Sequence, residues 1–540
     1  MTAAQRRRSR RRPTTPDTPD ARPAPAPEAP PSPQGISAWI PLSPRVFVPL
    51  CLALTALYFA WCAWSLRLHD PPAWPDESLF ADPAIHLLRD GHFGTPLLDG
   101  YLPGIATRTY WVPPLYPASL AALFAALGSS LAVMRGFSLA TGLAALALTH
   151  RIARRVGMDP VTACVPAALL AVDGVFLRAA RIGRMDLLAL ALALAAAHEA
   201  LRDDETDVPA HRGPMFRAGL LAGLASVTHP MGMAALAAVG AHAALSPRRA
   251  RSVPAVALGA AGPLALWALY IARDPGAFAA QFGAQLARKA ARDPWTLRAI
   301  TASLRVNLEQ YADPSRPAQA DPRTAVQLVW TLGTAGVVRL AMRSRAALPL
   351  ALLHGLLAAL TLLSLEMWYP VYVAPTAMIG LAAWLGPSGL GAAMRPWAMG
   401  AAIAAGLWFG ERNVTRQAEL RARWEAAGDA ARYEPFCAAV SARIPAGARV
   451  FVSLFPDLSL CLAQRADLTL RTFLPDGLAV PPARHMEVLR GVDYVVTGRD
   501  APGSLADGHA PRVGLLVAEV GAARPDSYHA RIYRMPGATR

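Results

Sequence analysis

Residues 46–66 read VFVPLCLALTALYFAWCAWSL, and the short motif WPDES follows at 74–78. The first stretch carries no charge and has the length of about 20 residues that a helix needs to cross a bilayer. The adjacent carboxylates of Asp76 and Glu77 therefore lie just outside a predicted membrane span. Two acids in this position either cap a helix or take part in catalysis. Other parts of the sequence are needed to decide between these interpretations.

The composition is that of a polytopic membrane protein. Of the 540 residues, 54% are hydrophobic and only 17% are charged, and apolar runs of span length recur along most of the chain. The net charge of +16 comes almost entirely from arginines, which lie in one tail and in short loops between apolar runs. Because they form no basic stripe on a soluble domain, no nucleic acid is expected as a partner. The arginines are interpreted instead as topology signals.

The positions of the arginines predict the topology. Residues 1–45 form a disordered, basic, Pro/Ala-rich tail, which the positive-inside rule places in the cytoplasm. About eleven spans follow in a transmembrane domain at 46–410, with the loop 67–130 outside and the segment 113–128 as a helix against the outer face. We expect a multi-pass protein of the inner or plasma membrane. The first predicted spans lie at 46–66, 131–150, 160–177, 187–201, 216–228, 231–245 and 252–272.

Residues 411–540 predict a small extracytoplasmic α/β domain. Four strand-like stretches, ARVFVSLF, DLTLRTFL, VDYVVTG and HARIYRM, alternate with helix or turn sequence, and no glycine-rich nucleotide fingerprint occurs among them. Cys437 and Cys461 lie in this region and either form a disulfide or remain separate thiols. The predicted fold class is therefore an α-helical polytopic membrane protein with a C-terminal α/β domain.

The paired acids have two interpretations. In an outer loop, Asp76 is suited to act as a general base, with Glu77 as an orienting or metal-binding neighbour. Alternatively, Asp76 only caps the amphipathic stretch SLFADPAIHLLRDG. The motif alone favours the cap.

The second predicted outer loop, FLRAARIGRMD at 176–186, favours a catalytic site over a simple helix cap. It places Arg178, Arg181 and Arg184 directly before Asp186, in a short outer loop where positive charge is normally avoided. At a spacing of three the arginines share one face of a helix, and guanidinium groups suit phosphate oxygens. An anionic ligand is the functional interpretation, and contact with lipid head groups is the alternative.

Further polar and aromatic residues fall on the same predicted side of the membrane. They are Arg108, Tyr110 and Trp111 in RTYWVPP, His229 in THPMG, and Glu366 and Tyr369 in LEMWYP. Each has an ordinary explanation, since a single histidine is usually a satisfied polar group and aromatic residues anchor spans at the interface. Together, ionisable groups converging on one face predict a substrate-binding cavity.

The order of these motifs resembles the GT-C membrane glycosyltransferases over about residues 46–385, with the lipid A aminoarabinose transferases and protein O-mannosyltransferases as the nearest relatives. Asp76 matches the catalytic acid of that family, Asp186 matches the acid of its second outer loop, and His229 stands where relatives often have a basic residue. The resemblance implies a GT-C-like fold and transfer of a sugar from a polyprenyl-phosphate donor to a lipid, glycan or protein acceptor of the cell envelope. The membrane lipid itself is a further partner.

The implied reaction needs a proton acceptor and a positive charge. Asp76 would accept the proton of the acceptor hydroxyl during in-line attack, which inverts the anomeric carbon. Arg181, Arg184 or a divalent cation near Asp186 would neutralise the departing phosphate. The Glu-Lys-Pro of the aminoarabinose transferases has no equivalent near WVPP, so the cofactor is left open.

Two other classes of function remain as alternatives. A transporter or flippase of a lipid-linked substrate predicts paired repeats and broken helices around a midplane site. No convincing internal repeat is found in the sequence, and the charged groups cluster at the outer surface. A non-catalytic envelope assembly factor is the third alternative, in which Asp76 is dispensable.

Overall fold

The computed structural model describes residues 42–65, 72–202, 213–290, 298, 301, 323–364, 368–386, 394–428, 432–453, 457–472, 482–498, 505–521 and 528–538. Most of the predicted tail and the candidate Glu366 lie outside these residues. The first part of the described chain is helical. Its helices are α1 Pro44–Trp64, α2 Pro75–Asp90, α3 Leu115–Leu127, α4 Leu131–Arg155, α5 Cys164–Val172, α6 Gly174–Ala180, α7 Asp186–Ala200, α8 Gly213–Ser226, α9 Met233–Leu245, α10 Arg249–Ile271, α11 Pro275–Ala290, α12 Arg323–Arg343, α13 Leu348–Leu362, α14 Pro370–Ala383 and α15 Arg395–Ala427.

The helices carry apolar side chains both in the buried core and on the exposed surface. Helix α7, with the sequence DLLALALALAAAHEA, packs between α4 and α8 and is buried along most of its length, as expected for a helix that is apolar all round. Helices α1 and α10 instead present large apolar side chains outward. Leu54, Leu57, Leu258, Leu266 and Leu269 are all more than half exposed. Such a surface is favourable only against lipid or another apolar partner.

Four helices within the described ranges are long and apolar enough to cross a membrane. They are Pro44–Trp64, Leu131–Arg155, Arg249–Ile271 and Arg345–Leu362. Shorter apolar helices lie at Leu115–Leu127, Pro230–Leu245 and Pro370–Ala383. The predicted total of about eleven spans therefore stays a prediction.

The predicted span at 160–177 is not one helix. Helix α5 ends at Val172 and α6 begins at Gly174, because the Asp173 carboxylate caps α6 by accepting from the Phe176 backbone N–H at 2.8 Å. Aspartate at this position favours starting a new helix over continuing the old one. The sequence pattern missed this break because the apolar run continues across it.

The C-terminal part contains a five-stranded sheet. Its strands are β1 Arg449–Ser453, β2 Thr469–Thr472, β3 Tyr494–Gly498, β4 Leu515–Gly521 and β5 His529–Arg534, in the order β2-β1-β3-β5-β4. Strands β2, β1 and β3 are parallel, and β5 runs antiparallel to both of its neighbours. The connecting helices are α16 Tyr433–Ser441, α17 Ser459–Leu462, α18 Pro482–Arg490 and α19 Leu505–Val513.

The sequence predicted four of these strands and missed β4. Its first three residues, Leu515 to Val517, are apolar yet exposed at the sheet edge, so they lack the alternation that marks a half-buried strand. The predicted boundary at 410/411 also falls inside the continuous helix α15, and the α/β unit begins after it. Cys437 and Cys461 form a disulfide.

The sheet packs against the segment between α1 and α4 that carries WPDES. One apolar core of buried residues runs from α2 and α3 into β1 and β3. Polar contacts reinforce it: the Asp457 N–H donates to the Ala73 carbonyl at 2.9 Å, and the Leu460 N–H donates to the Ser78 hydroxyl at 3.1 Å. Asp99 and Arg471 form an ion pair at 2.7 Å. The C-terminal domain thus helps to fix the start of α2.

Asp457 makes this contact sensitive to pH. Burial raises the pKa of its carboxyl from the ordinary 3.8 to about 6, although hydrogen bonds from Ser459 and Ser78 oppose the shift. A raised folded-state pKa contributes stability that is complete below 3.8 and is lost as the pH rises through about 6. We expect Asp457→Asn, which cannot ionise, to increase the melting temperature of the purified protein more at pH 7.5 than at pH 4. The underlying difference is at most about 3 kcal/mol. An equal change at both pH values would contradict the assignment.

Candidate active site

The carboxylate that caps α2 belongs to Glu77, not to Asp76. Trp74 is the residue before the helix, Pro75 opens its first turn, and the Glu77 carboxylate accepts from the Trp74 backbone N–H at 2.9 Å. The interpretation of Asp76 as the cap is therefore wrong, because the helix starts two residues earlier than that interpretation requires. Asp76 is left on the first turn with its side chain 22% exposed.

Glu77 is buried and fully engaged by protein donors. The Arg135 guanidinium, from α4, donates to both of its oxygens at 2.8 and 2.6 Å. The Gly183 backbone N–H donates to the same carboxylate at 2.6 Å. With these partners, an orienting role fits Glu77 better than a metal-binding one. Its carboxylate ties the start of α2 to the loop between α6 and α7.

Gly183 allows this close approach. A β-carbon at position 183 would lie 2.7 Å from Cβ of Met134 and 3.2 Å from the Glu77 carboxylate. Because side chains in a packed interior cannot move far without cost, only glycine fits between α4 and Glu77. The Gly183 N–H can therefore reach the carboxylate, which places the following Arg184 near Asp76.

Arg184 brings the two predicted acids together. Its guanidinium donates to Asp76, 108 positions away in the chain, and to Asp186 at 2.9 Å. The Tyr372 hydroxyl donates to the other Asp186 oxygen at 3.3 Å. Arg184 and Asp186 are both buried, whereas Asp76 is partly open. One guanidinium thus faces two carboxylates, leaving this group of three with a net charge of −1.

Trp368 lies beside this group and was missed as a site residue. The guanidinium carbons of Arg184 and Arg178 lie over the Trp368 ring, 4.6 and 4.4 Å from its centroid. The Trp74 ring meets it edge-on, with 5.8 Å between the ring centroids. Cation–π contacts of this kind favour a fixed guanidinium plane. The sequence signal was present in LEMWYP, but an aromatic residue at this depth is usually an interface anchor.

His229 and two tyrosines form the adjoining wall. The His229 ring lies 5.3 Å from the Tyr369 ring and 5.5 Å from the Tyr372 ring. His229 Nδ1 accepts from the Met231 N–H at 3.0 Å, so a neutral His229 carries its proton on Nε2. Tyr372 links this wall to Asp186. The structure therefore connects the predicted residues His229 and Tyr369 to Asp186 through Tyr372.

The three loop arginines do not share one face. Helix α6 ends at Ala180, so the helical spacing does not continue to Arg184. Arg178 and Arg184 both contact Trp368, but Arg181 points towards α1 and donates to the Cys62 carbonyl at 3.0 Å. The prediction of a common helical face is wrong for this reason, and Arg181 is not brought to the acids by this contact.

The residues of RTYWVPP face another part of the fold. Arg108 pairs with Asp274 at 3.7 Å, and the Tyr110 N–H donates to Gln281 at 2.6 Å. Trp111 is buried in the apolar core shared by α2 and α3. These contacts, together with the hydrogen bond from the Tyr110 hydroxyl to the Tyr270 carbonyl at 3.2 Å, hold the loop against α10 and α11.

A metal at Asp76 and Asp186 would need further ligands. Among the described residues, no third histidine, cysteine or carboxylate joins these two acids at metal-ligand spacing. The Arg184 guanidinium supplies the positive charge between them instead. A divalent cation would have to displace it or use water and substrate oxygens as additional ligands.

Several solved structures share this architecture. ArnT from Cupriavidus metallidurans, in a structure bound to undecaprenyl phosphate, aligns with a TM-score of 0.53 at 14% identity, over 92% of this chain and 98% of that chain. The oligosaccharyltransferase from Archaeoglobus fulgidus aligns with a TM-score of 0.51 at 12% identity, over 85% and 70%. The arabinofuranosyltransferase AftD from Mycobacteria gives 0.51 at 16% identity, over 91% and 42%. No protein-family model and no curated protein matches the sequence. At these identities the likeness concerns the fold, and it confirms the resemblance at that level: this chain has the fold of the GT-C membrane glycosyltransferases.

Proposed function

We propose that the protein is a membrane glycosyltransferase that takes a sugar from a polyprenyl-phosphate donor and passes it to a cell-envelope acceptor. The observation that carries the proposal is the contact of Arg184 with both Asp76 and Asp186. A partly exposed acid beside a buried arginine combines a proton acceptor with a phosphate-binding group. The bound undecaprenyl phosphate of the ArnT structure supports the choice of donor.

Arg184 is proposed to bind the donor phosphate. A guanidinium fork matches phosphate oxygens in geometry and charge, and Trp368 keeps the plane of the Arg184 guanidinium fixed. A phosphate arriving here would compete with Asp76 for the guanidinium, while the more buried Asp186 keeps its contact. Donor binding would thereby release Asp76 for proton transfer.

The extra negative charge of the phosphate requires compensation. Arg184 already faces two carboxylates, so its single charge cannot neutralise a third anion as well. Arg178, which stacks on the same Trp368 ring, is the second proposed phosphate partner. A divalent cation held by Asp76 and Asp186 is the alternative source of charge.

Asp76 is proposed as the general base. It would accept the proton of the acceptor hydroxyl as that oxygen attacks the anomeric carbon, the bond to phosphate breaks, and the configuration inverts. Positive charge near the departing phosphate stabilises the transition state most effectively where water is excluded. The burial of Arg184 and Asp186 meets that condition.

Donor binding tests the role of the two arginines. We expect Arg184→Gln to weaken binding of undecaprenyl phosphate to the detergent-purified protein by roughly 10–100-fold, the effect of losing a charge-assisted hydrogen bond. Arg178→Gln should weaken it in the same direction. Arg412→Gln is the matched control, because Arg412 also stacks on a tryptophan, Trp408, at 4.8 Å but is exposed on α15. Equal binding by the parent and Arg184→Gln would contradict the phosphate assignment.

We also propose that the α/β domain and the candidate site lie outside the cytoplasm. The Cys437–Cys461 disulfide supports this orientation, since disulfides persist in oxidising compartments. A cysteine replacing the exposed Arg490 should react with a membrane-impermeant maleimide in intact cells. A cysteine replacing Arg151 should react only after lysis. The reverse labelling pattern would contradict the orientation.

A further inference from the structure

A second cluster of titratable side chains lies at the other end of α2, about 20 Å along the helix from Asp76. It consists of His86, Asp90 and His92, whose potential ligand atoms all lie within 4.8 Å of one another. His86 Nδ1 contacts the Asp90 carboxylate directly, and His92 Nε2 lies 3.9 Å from the same oxygen. Neither the proposed reaction nor the core packing uses this cluster.

The local fold brings the three side chains together. His86 and Asp90 are four residues apart and share one face of α2. Gly91 then ends the helix with a positive φ of 72°, a conformation that glycine adopts without strain. This turn brings His92 back over the last helical turn, where its ring lies nearly parallel to the His86 ring at 5.6 Å.

A neighbouring carboxylate orients His86. Asp82 Oδ1 lies 3.4 Å from His86 Nε2, and the other Asp82 oxygen accepts from the Leu97 N–H at 3.0 Å. Asp82 and His86 are both buried. If Nε2 carries the proton towards Asp82, the lone pair of Nδ1 lies on the side of Asp90 and His92, where a cation could accept it. Carboxylates behind histidines play this part in metal sites, where they fix the ring and increase its basicity.

His92 has a ring nitrogen that is available to bind a ligand. Its Nδ1 is buried and has no hydrogen-bond partner among the described residues. Its Nε2 is too far from Asp90 for a hydrogen bond. A buried ring nitrogen without a partner costs free energy, and coordination of a cation by that nitrogen would remove the cost.

We propose that His86, Asp90 and His92 bind a divalent transition metal of the Zn²⁺ type, with Asp82 as the outer partner of His86. Two imidazoles and one carboxylate are a usual donor set for Zn²⁺, which binds them at about 2.0–2.2 Å. The ligand atoms would close in from their present separations by small side-chain movements. Bound metal would pin the end of α2 to the loop that follows it.

Arg89 currently supplies the positive charge at this position. Its Nη2 lies 3.0 Å from His86 Nδ1 and 3.1 Å from Asp90, and its side chain is 29% exposed. A flexible surface arginine can swing into water, so the metal would replace one cation by another. The presence of Arg89 should therefore weaken metal binding, and its removal should strengthen it.

The cluster adjoins a cavity of about 220 Å³ between the outer loop and the C-terminal domain. Asp82, His86 and Arg89 line one side, and Leu468 and Leu470, which flank and lie on β2, line the other. A metal that fixes the end of α2 would also fix this wall of the cavity. We therefore expect metal binding to stabilise the packing of the outer loop on the sheet.

Titration with Zn²⁺ tests the proposal on the full-length, detergent-purified protein after removal of metals with a chelator. The parent should bind one Zn²⁺ per chain in competition with a chromogenic chelator. His92→Ala, in which the replaced ring is a third exposed, should weaken binding by more than about 10-fold. His86→Ala should do the same, and Asp82→Asn should weaken binding by about 10–100-fold. Arg89→Ala should bind more tightly than the parent.

The control is His198→Ala, which changes a half-buried histidine next to Glu199 on another helix and should leave Zn²⁺ affinity unchanged. The proposal is overturned if the parent binds no Zn²⁺, or if His92→Ala and His86→Ala bind it as the parent does. The experiment does not depend on sugar transfer, so the transferase proposal and this one can fail separately.

Discussion

Replacing Asp76 with asparagine is expected to lower sugar transfer by about 10²–10⁴-fold, the usual contribution of a positioned general base. Asparagine keeps the size of the side chain and an oxygen that can accept from Arg184, but it cannot take up a proton at neutral pH. The protein should therefore insert and fold as before. The measurement is the initial rate of transfer from a polyprenyl-phosphate sugar by the purified variant.

Asp467→Asn is the matched control for this experiment. Asp467 is also an aspartate held by an arginine, Arg465, but it is exposed on the C-terminal domain. Its replacement should leave the rate within about 2-fold of the parent. An Asp76→Asn protein that transfers sugar at nearly the parent rate would remove Asp76 from the mechanism.

Removing Arg135 is expected to destabilise the protein severely. Arg135→Met would leave the buried Glu77 carboxylate without its charged partner, which typically costs about 3–5 kcal/mol. Glu77 would also hold the Trp74 and Gly183 N–H groups less firmly once its own position is no longer fixed. The expected result is a large fall in the melting temperature of the purified protein, together with a loss of donor binding.

The double variant separates charge from packing. Arg135→Met combined with Glu77→Met removes both buried charges, so it should be more stable than Arg135→Met alone. Arg217→Met is the control, because Arg217 pairs with Glu199 at 2.7 Å but is about half exposed. Exposed pairs contribute about 0–1 kcal/mol. If Arg135→Met melts like Arg217→Met, the buried pair does not stabilise the site.

The parts of the fold that depend on local pattern could be predicted from the sequence. Apolar runs predicted helices, and four strand-like stretches predicted four of the five strands of the C-terminal sheet. The grouping of Asp76 with Asp186 and His229 followed from the predicted topology, and the family resemblance implied their roles. In the structure, Arg184 contacts both acids, and His229 stacks on Tyr372, which contacts Asp186.

The parts that depend on tertiary partners could not be predicted. Arg135 is a single arginine in an apolar helix, and its importance depends on the distant Glu77. Arg181 was expected beside Arg184, but the helix ends between Arg178 and Arg181 and sends the three side chains in two directions. Which acid caps α2 depended on a shift of two residues in the helix start, which no sequence pattern resolves.

The same limit applies to the aromatic wall. Trp368 and Tyr372 lie in a stretch typical of interface anchors, and only the folded chain brings them to Arg184 and Asp186. Conversely, Arg108 and Tyr110 had the residue types of a binding site but are used to hold two helices and a loop together. Residue type identified the candidates, and the contacts show which of them lie together.

As a glycosyltransferase, this protein is expected to break the bond between sugar and polyprenyl phosphate itself. The direct measurement is incubation of the purified parent protein with radiolabelled polyprenyl-phosphate sugars and extracted envelope acceptors, followed by separation of lipid and product. A transferase with Asp76 as its general base should release free polyprenyl phosphate and transfer the label to an acceptor. Both products should be lost in Asp76→Asn. Intact donor in every reaction, together with movement of the same donor across reconstituted vesicles, would contradict the account and identify a transporter.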